Sequence, residues 1–307
     1  MRVYMVVNPR AKRVGAQPDL PSSLQKVLGQ NARVCCSRSE DDLPAMARQC
    51  REGRYEALGI CGGDGTVHHT LSAFQAAYGE EPLPPILLLN GGTINTVSRS
   101  IGLHGRPEWL ARRFVRAEKN GRLRLVARST MRCGPRLCFI FGLGLVTNFQ
   151  HAFYAGSRKG LPRAAGLALR SVGSSLVQGP FAARLFAPWR GTLTVDGRNL
   201  PHKAYTAVLA QTIENLALGF TPMYRALERP GSFHLIAACL PPAEVLLKLP
   251  RLFLGKPVGG AGTVDEVCRE IRLDPDGAGE YAMDGDLYPL EAPLVLTAGP
   301  DLRFFQF

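Results

Sequence analysis

The feature that most constrains this chain is a glycine-rich turn between an apolar run and a helical pattern. Residues Cys61–Thr66 read Cys-Gly-Gly-Asp-Gly-Thr and follow the apolar stretch Ala57–Ile60, while Val67, Leu71 and Phe74 recur behind them at helical spacing. Glycine permits backbone conformations and close approaches that a side chain would prevent. A helix that begins after such a turn directs unpaired N–H groups at an anion. The turn therefore predicts a phosphate site containing one carboxylate; the alternative is a tight strand-to-helix turn capped by its aspartate.

Strand-like and helix-like segments alternate through the first part of the chain. The predicted strands are Val3–Asn8, Ala32–Cys36, Ala57–Ile60 and Ile86–Leu89. The predicted helices are Leu20–Leu28, Asp42–Arg51, Thr66–Tyr78, Asn95–Ile101 and Pro107–Ala117. This alternation is typical of βαβ units, so we expect an α/β nucleotide-binding domain with a parallel sheet over residues 1–122.

Three polar or glycine-rich turns follow strands of this predicted sheet. They are Asn8-Pro9-Arg10, Gly62–Thr66 and Asn90–Asn95. In open parallel sheets, ligands bind at the carboxyl ends of the strands. The shared position of the three turns therefore predicts one site, whatever the individual motifs resemble.

The pattern changes near Leu123, where short strands separated by Gly, Pro and Asp turns begin. Predicted strands are Leu123–Met131, Leu137–Gly142, Thr192–Val195, Ala204–Ala210, Phe233–Leu240, Glu270–Leu273, Glu280–Met283 and Leu294–Leu296. This spacing predicts a β-rich, antiparallel, sandwich-like second domain over 123–307, with the last strands packing back on the first domain. A basic helix is predicted over Pro162–Val177, either lying on a membrane or covering the domain.

Charge and composition restrict the classes of binding partner that we expect. The 307 residues are 46% apolar, and Lys plus Arg exceed Asp plus Glu by 37 − 25 = 12. The segment between Arg99 and Arg136 is especially basic, through Arg99, Arg106, Arg112, Arg113, Arg116, Lys119, Arg122, Arg124, Arg128, Arg132 and Arg136. Such a block suits an anionic membrane surface, nucleic acid or a polyphosphate, or is a solvated stripe. Because neither aromatic interleaving nor a DNA-binding module accompanies it, we expect no nucleic acid partner.

Cysteine usage and hydropathy indicate the compartment. The eight cysteines contain no Cys-x-x-Cys pair, which argues against zinc or a disulfide framework and favours reduced thiols. The N-terminus lacks the features of a signal peptide. No apolar run approaches the roughly 20 residues that span a bilayer. We therefore expect a cytoplasmic protein whose membrane contact is peripheral.

Two motifs together resemble the diacylglycerol kinase and sphingosine kinase family, in particular its bacterial lipid kinases. They are Gly62-Gly63-Asp64-Gly65-Thr66 and the run Gly92-Thr93-Ile94-Asn95 with Arg99 and Gly102 behind it. Met283-Asp284-Gly285-Asp286 stands where that family has an Asp-Gly-Glu turn. The resemblance extends over nearly the whole chain and implies a lipid kinase that uses ATP and Mg²⁺.

The resemblance also implies roles for particular residues. Contacts to the nucleotide are implied for Asn8, Pro9, Arg10, Lys12 and Ser37. The phosphates are implied to lie on Gly62, Gly63, Asp64, Gly65 and Thr66, with Mg²⁺ held through Asp64, and a second wall is implied for Gly92, Thr93 and Asn95. From the second domain, Asp284 and Asp286 are implied to supply the general base or its partner, in an order that the motif leaves open.

The expected reaction is transfer of the γ-phosphate of ATP to a hydroxyl of a membrane lipid, which is diacylglycerol-like, sphingoid or phosphatidylglycerol-like. Phosphoryl transfer needs positioned phosphates, Mg²⁺ and a carboxylate at the attacking hydroxyl. The alternatives are a small-molecule kinase such as NAD kinase, which shares the first turn, and a nucleotide- or lipid-binding protein without activity. The oligomeric state is left open, with a homodimer as one possibility.

Overall fold

The computed structural model describes residues 1–154, 179–216 and 220–307. The helix predicted over Pro162–Val177 lies outside these residues. The chain divides into two compact units. Unit 1 comprises Met1–Arg128, Pro135–Leu137 and Asp301–Phe307, and unit 2 comprises Ser129–Gly134 and Cys138–Pro300.

Unit 1 is built on a parallel sheet. Its strands are β1 (Val3–Val7), β2 (Ala32–Cys36), β3 (Ala57–Gly62) and β4 (Ile86–Asn90). Their order is β2-β1-β3-β4, and Phe304 continues the sheet by pairing in parallel with Ile86. Because β1, β3 and β4 are buried along their whole length, they read as continuous apolar runs rather than as alternating patterns.

Six helices of unit 1 connect and cover these strands. They are α1 (Lys12–Gly15), α2 (Leu20–Leu28), α3 (Leu43–Glu52), α4 (Asp64–Tyr78), α5 (Thr96–Ser100) and α6 (Pro107–Lys119). Helix α4 buries Val67, Leu71 and Phe74, the apolar stripe that its sequence spacing predicts, and also Tyr78. The α/β architecture predicted for this part of the chain is confirmed.

The first glycine turn is shorter than the sequence pattern suggests. The strand predicted to end at Ile60 continues to Gly62, which pairs with Asn90 across the ladder. The helix predicted to begin at Thr66 begins at Asp64, because Gly63 is extended (φ −96°, ψ −173°) and serves as the N-cap residue. An acidic residue in the first turn also suits the positive end of the helix dipole.

Unit 2 consists of strands and three described helices. The strands that lie wholly or partly in it are β5 (Arg124–Cys133), β6 (Arg136–Cys138), β7 (Ile140–Gly144), β8 (Trp189–Val195), β9 (Arg198–Asn199), β10 (Ala204–Tyr205), β11 (Ala207–Gln211), β12 (Phe233–Ala238), β13 (Thr263–Cys268), β14 (Glu270–Pro275), β15 (Gly279–Met283), β16 (Asp286–Leu290) and β17 (Leu294–Gln306). The first residues of β5, most of β6 and the residues of β17 from Asp301 onward belong to unit 1. The helices are α7 (Leu145–Tyr154), α8 (Pro180–Leu185) and α9 (Pro242–Phe253).

Two antiparallel layers form the sandwich of unit 2. One sheet has the order β13-β12-β11-β7-β15-β16, and the other contains β10, β8, β14 and the first residues of β17. A core shared by both layers includes Phe141, Trp189, Phe233 and Ile271. A second core lies under α8 and α9 and includes Leu185, Ile236 and Val245. The antiparallel, β-rich second part expected from the sequence is therefore confirmed.

Several strand boundaries in unit 2 differ from the sequence prediction, and the predicted strand Leu137–Gly142 is divided into β6 and β7. Two further differences are larger. The strand predicted over Ala204–Ala210 divides at Thr206, because the Thr206 hydroxyl donates to the Leu240 carbonyl and its own carbonyl accepts from the Leu145 amide. The strand predicted over Leu294–Leu296 instead runs on to Gln306. Within the described ranges, no helix combines the length and apolarity needed to cross a bilayer.

Candidate functional site

Three turns meet at the carboxyl edge of the sheet in unit 1, as their sequence positions predict. The Asn8 amide donates to the Cys61 carbonyl at 3.0 Å, which joins the turn after β1 to the end of β3. The amides of Gly91 and Gly92 both donate to the Gly62 carbonyl, at 2.9 and 3.0 Å. The turns after β1, β3 and β4 are thus connected through their main chains.

The glycines of the two glycine-rich turns are needed for close backbone packing. A Cβ on Gly92 would lie 2.4 Å from the Gly63 Cα, and a Cβ on Gly91 would lie 2.9 Å from the Gly62 Cα. None of Gly62, Gly63, Gly91 and Gly92 has a positive φ, so close packing and not an unusual backbone angle is what requires glycine at these positions. The absent side chains therefore let one turn lie against the other.

Asn95 holds the second turn in shape. Its Oδ1 accepts from the Gly92 amide at 2.9 Å, and its Nδ2 donates to the Gly92 carbonyl at 3.0 Å. The residue is buried and left-handed, with φ 55°. Asparagine tolerates that conformation better than most residues with a side chain. Asn95 therefore forms hydrogen bonds with both main-chain polar groups of Gly92. Thr93, the next residue of the turn, is half-buried.

Asp64 connects the first turn to the second. Its Oδ1 accepts from the Val97 amide at 3.2 Å, and its Oδ2 lies 3.4 Å from the Thr96 hydroxyl. The side chain is half-buried at the first residue of α4. Gly65 and Thr66 follow it in the same helical turn. A single carboxylate is therefore fixed where the two glycine turns approach each other.

The turn after β1 is tied to α4. The Asn8 Nδ2 donates to the Thr66 hydroxyl at 2.8 Å, and its Oδ1 accepts from the Arg10 amide at 2.9 Å. This orders the turn around the half-buried Pro9. The side chains of Arg10 and Lys12 are exposed. Asn8 and Thr66, predicted as separate members of the site, thus contact each other directly.

Ser37 follows β2 at the same edge of the sheet. It is buried, its amide donates to the Val7 carbonyl at 2.8 Å, and its hydroxyl donates to the Ser39 carbonyl at 2.8 Å. These bonds orient the end of β2 beside the end of β1. The structure therefore brings every predicted unit 1 residue to one edge, and their contacts with nucleotide stay predictions.

A basic cleft beside the second turn was not foreseen. Its volume is about 530 Å³, and its lining includes Asn90 and Asn95 together with Arg13, Arg99, His104 and Arg106. Within the described ranges, no carboxylate forms an ion pair with any of these three guanidinium groups. The cleft is therefore suited to an anion. Arg99 and Arg106 belong to the basic segment, but only the fold brings Arg13 to them.

Neighbouring groups in unit 1 are structural rather than reactive. Burial raises the pKa of the Cys61 thiol to about 12, so this cysteine remains protonated beside the turn. The Nδ1 of His68 is 2.7 Å from the Leu137 carbonyl; because a carbonyl only accepts, that nitrogen carries the proton. The His69 Nδ1 lies 3.2 Å from a carboxylate oxygen of Glu40. These contacts account for both histidines without a metal.

Asp284 has a clear structural task in unit 2. It is buried, left-handed (φ 46°) and located in the turn between β15 and β16. Its carboxylate accepts from the Phe139 amide at 3.1 Å and from the Ile140 amide at 2.9 Å. The Asp284 amide in turn donates to the Ile140 carbonyl at 3.0 Å. Asp284 therefore fixes the start of β7.

Asp286 and two further polar residues accompany this turn. Asp286 is half-buried at the first residue of β16. Thr212 is buried, and its amide donates to the Phe139 carbonyl at 3.1 Å, next to the segment that Asp284 holds. In the part of the chain described, the side-chain amide of Gln211 and the hydroxyl of Thr212 have no hydrogen-bond partner. Buried polar groups normally have one, so water or ligand is expected there. The sequence offered no motif for either residue.

The donor groups fit Mg²⁺ bound together with phosphates. No group of three or more His, Cys, Asp or Glu side chains that would hold a metal occurs among the described residues. Mg²⁺ commonly uses one or two carboxylates together with substrate phosphates and water. Asp64, beside the packed glycine turns, is a donor of that kind.

Comparison with known proteins identifies the first part of the chain. Residues 2–123 match the family model of the diacylglycerol kinase catalytic domain, which confirms the resemblance seen in the motifs and indicates a kinase. Among curated proteins, no match is found.

Solved structures share the fold over nearly the whole chain. Two crystal structures from Bacillus anthracis str. Sterne, both named as diacylglycerol kinases, superpose on this chain with TM-scores of 0.71 and 0.68. Each is 13% identical in sequence, and the superposition covers 99% of this chain and 96% of theirs. A yeast NADH kinase complexed with NADH reaches a TM-score of 0.50 at 10% identity, covering 100% of this chain and 84% of that one. At these identities the likeness concerns the fold.

Proposed function

Because residues 2–123 carry a diacylglycerol kinase catalytic domain, we propose that the chain transfers the γ-phosphate of ATP to a hydroxyl of a membrane lipid. The observation that carries this proposal is the junction of the two glycine turns, where Gly63 and Gly92 pack together and Asp64 bonds to the Val97 amide. A close-packed, side-chain-free surface with one fixed carboxylate is suited to a triphosphate.

The chain's own residues position the phosphates. The turns present main-chain groups close to the ligand, and Asn95 and Asn8 keep those turns in place. Arg13, Arg99 and Arg106 add positive charge at the adjoining cleft. Mg²⁺, held by Asp64 and the phosphates, would neutralise the charge that develops on the transferred group. Exposed Arg10 and Lys12 are available to the outer phosphates.

We assign the proton transfer to Asp286 rather than Asp284. In the reaction the lipid hydroxyl oxygen bonds to the γ-phosphorus, the bond from that phosphorus to ADP breaks, and the hydroxyl proton passes to a carboxylate. Both oxygens of Asp284 already accept main-chain hydrogen bonds. Asp286 is half-buried, so solvent reaches part of it.

A lipid acceptor is favoured over NAD. The second turn reads Asn-Gly-Gly-Thr-Ile-Asn and differs from the Asn-x-Gly-x-x-Gly-Phe pattern of NAD kinases. The excess of basic residues suits an anionic membrane, to which we propose that the protein binds peripherally from the cytoplasm. Diacylglycerol-like, sphingoid and phosphatidylglycerol-like hydroxyls are all candidates.

The test is incubation of the purified chain with γ-labelled ATP, Mg²⁺ and a total lipid extract, followed by mass spectrometry of labelled products. We expect one labelled lipid. A parallel reaction with NAD measures NADP. Label in NADP alone would replace the proposal with a nucleotide-cofactor kinase, and ATP binding by calorimetry without any transfer would identify an inactive binder.

A further inference from the structure

Helix α9 in unit 2 has an outward face that is apolar instead of polar. Leu247 is 78% exposed, Leu254 is 63% exposed and Phe253 is 50% exposed. The inward side is already used, because Val245 is buried in the second core and Leu252 packs against it. A surface helix normally presents polar residues to solvent. The helix and its C-cap residue Leu254 therefore leave a second group of apolar side chains exposed.

The residues of this outer face follow helical spacing. Leu247, Pro250, Arg251 and Leu254 are three or four positions apart, so they lie side by side on one surface. We name these four residues, with Phe253, the α9 face. Single exposed apolar residues need no explanation. Three exposed apolar side chains on one helix and its C-cap residue are the kind of patch that marks an interaction site.

The end of the helix is held in place by its own unit. The Thr221 hydroxyl donates to the Phe253 carbonyl at 3.1 Å, and the rings of Phe220 and Phe253 contact edge to face at 5.3 Å between centroids. The Lys248 ammonium donates to the Val258 carbonyl at 3.0 Å. These contacts keep the exposed side chains at a defined position.

Charge indicates what covers this face. Arg251 and Lys256 are exposed beside the leucines, and neither forms an ion pair with any carboxylate of the described ranges. The only acid of the helix, Glu244, lies in its first turn, away from Phe253 and Leu254. Apolar side chains flanked by unpaired cations are the features that bind an anionic bilayer, the former entering the acyl boundary and the latter pairing with headgroups.

We propose that the α9 face docks unit 2 on an anionic membrane, with Leu247, Phe253 and Leu254 inserted into the interface and Arg251 and Lys256 at the phosphate level. This inference rests on the proposed function, since docking gives a lipid kinase access to its acceptor. It assigns the membrane contact to α9, whereas the sequence pointed to the basic segment Arg99–Arg136.

The test is sedimentation of the full chain with vesicles, either phosphatidylcholine alone or an equimolar mixture with phosphatidylglycerol. We expect binding to the mixed vesicles that falls as salt rises. L247E/L254E should weaken it by roughly tenfold or more, because two apolar anchors are replaced by anions. R251E/K256E should weaken it by at least about fivefold at low salt. The matched control is L125E, at a residue of unit 1 that is 48% exposed.

Three results would overturn the proposal: no binding of the wild-type chain to mixed vesicles, equal binding of wild type and L247E/L254E, or an equal loss with L125E. Light scattering provides a fourth. If L247E/L254E converts a dimer into a monomer, the α9 face joins two copies of the chain instead.

Phosphorylation of detergent-dispersed lipid separates the docking proposal from the proposed function, because L247E/L254E should keep that activity. Vesicle binding without any kinase activity would reject the proposed function and leave the docking surface standing.

Discussion

At the scale of single residues, short polar side chains do much of the organising at the candidate site. Asn95 holds both polar groups of Gly92, and Asp64 accepts from the Val97 amide. Asp284 performs a similar task in unit 2 by accepting from the amides of Phe139 and Ile140. A carboxylate in such a motif is therefore not automatically catalytic, and mutations must separate a folding role from a chemical one.

Replacing Asp64 tests the chemical role in unit 1. Asp64→Asn keeps an oxygen that accepts from the Val97 amide but removes the negative charge. We expect the melting temperature to stay near that of the wild type while phosphoryl transfer falls by at least about a hundredfold. Turnover and thermal melting are measured on the same preparation. Asp41→Asn, at an exposed acid of unit 1, is the control, and unchanged turnover in Asp64→Asn would remove this carboxylate from the mechanism.

The two acids of unit 2 should respond in opposite ways. Asp284→Asn places a donor amide against the amides of Phe139 and Ile140, so we expect the free energy of unfolding to fall by about 1–3 kcal/mol. Asp286→Asn should lower turnover by at least about a hundredfold and cost less stability than Asp284→Asn. Urea unfolding and turnover together decide the assignment. Full activity in Asp286→Asn would contradict it.

At the scale of elements, the two glycine turns behave as one packed object. The sequence predicts each turn, and it predicts their common edge from the rule for parallel strands. It does not predict that the backbones touch, because that contact depends on the register that pairs Gly62 with Asn90. Arg13 reaches the cleft for the same reason: its amide donates to the Gly91 carbonyl at 2.9 Å.

A single methyl group tests this packing. In Gly92→Ala the new Cβ would lie 2.4 Å from the Gly63 Cα, so one turn must move. We expect a loss of about 1–3 kcal/mol in stability and weaker ATP binding by calorimetry. Gly277→Ala is the matched control, because its Cβ would meet nothing within 4 Å. If Gly92→Ala binds ATP with the affinity of the wild type, the contact between the turns is not needed for nucleotide binding.

Local sequence patterns predict the exact bounds of some helices and strands but not of others. Helix α2 and strand β2 agree with the predictions Leu20–Leu28 and Ala32–Cys36. Strand β17 was predicted as three residues because Gly299-Pro300-Asp301 has the composition of a turn. Pairing overrides that signal: Leu294 pairs with Leu273 of β14, and Phe304 pairs with Ile86 of β4. Such long-range partners are not visible in a local window.

At the scale of the whole molecule, each unit has its own core and its own tryptophan. Trp109 is half-exposed in unit 1, whereas Trp189 belongs to the core of unit 2. Composition predicted a chain large enough for two domains, and the change of texture near Leu123 predicted where the β-rich part starts. The discontinuous make-up of the units follows from chain topology, which composition does not encode.

The stability of unit 2 should fall in acid. Burial acts to raise the pKa of Asp265, but hydrogen bonds from His234 and Tyr224 outweigh it and hold that pKa below its ordinary value. A lowered pKa in the folded state means that the contribution is complete above about pH 4 and is lost as the pH falls through the folded-state pKa. The difference in stability between wild type and Asp265→Asn should therefore shrink below about pH 4.

The measurement uses urea unfolding followed by the fluorescence of Trp189 in a Trp109→Phe background, which reports unit 2. Asp276→Asn, at an exposed carboxylate of the same unit, is the control. A difference between wild type and Asp265→Asn that stays constant from neutral pH to pH 3 would contradict the expectation.

The return of the last residues to unit 1 has a consequence for biosynthesis. Phe304 pairs beside Ile86, the Phe305 ring lies 5.2 Å from that of Phe114, and the Phe307 carbonyl accepts from the Arg113 guanidinium at 2.6 Å. While a ribosome is still translating unit 2, the growing polypeptide has an open sheet edge at β4. Such an edge invites pairing with other strands. Unit 1 is completed only once Asp301–Phe307 have been translated, after all of unit 2, so the nascent chain keeps this aggregation-prone edge until then.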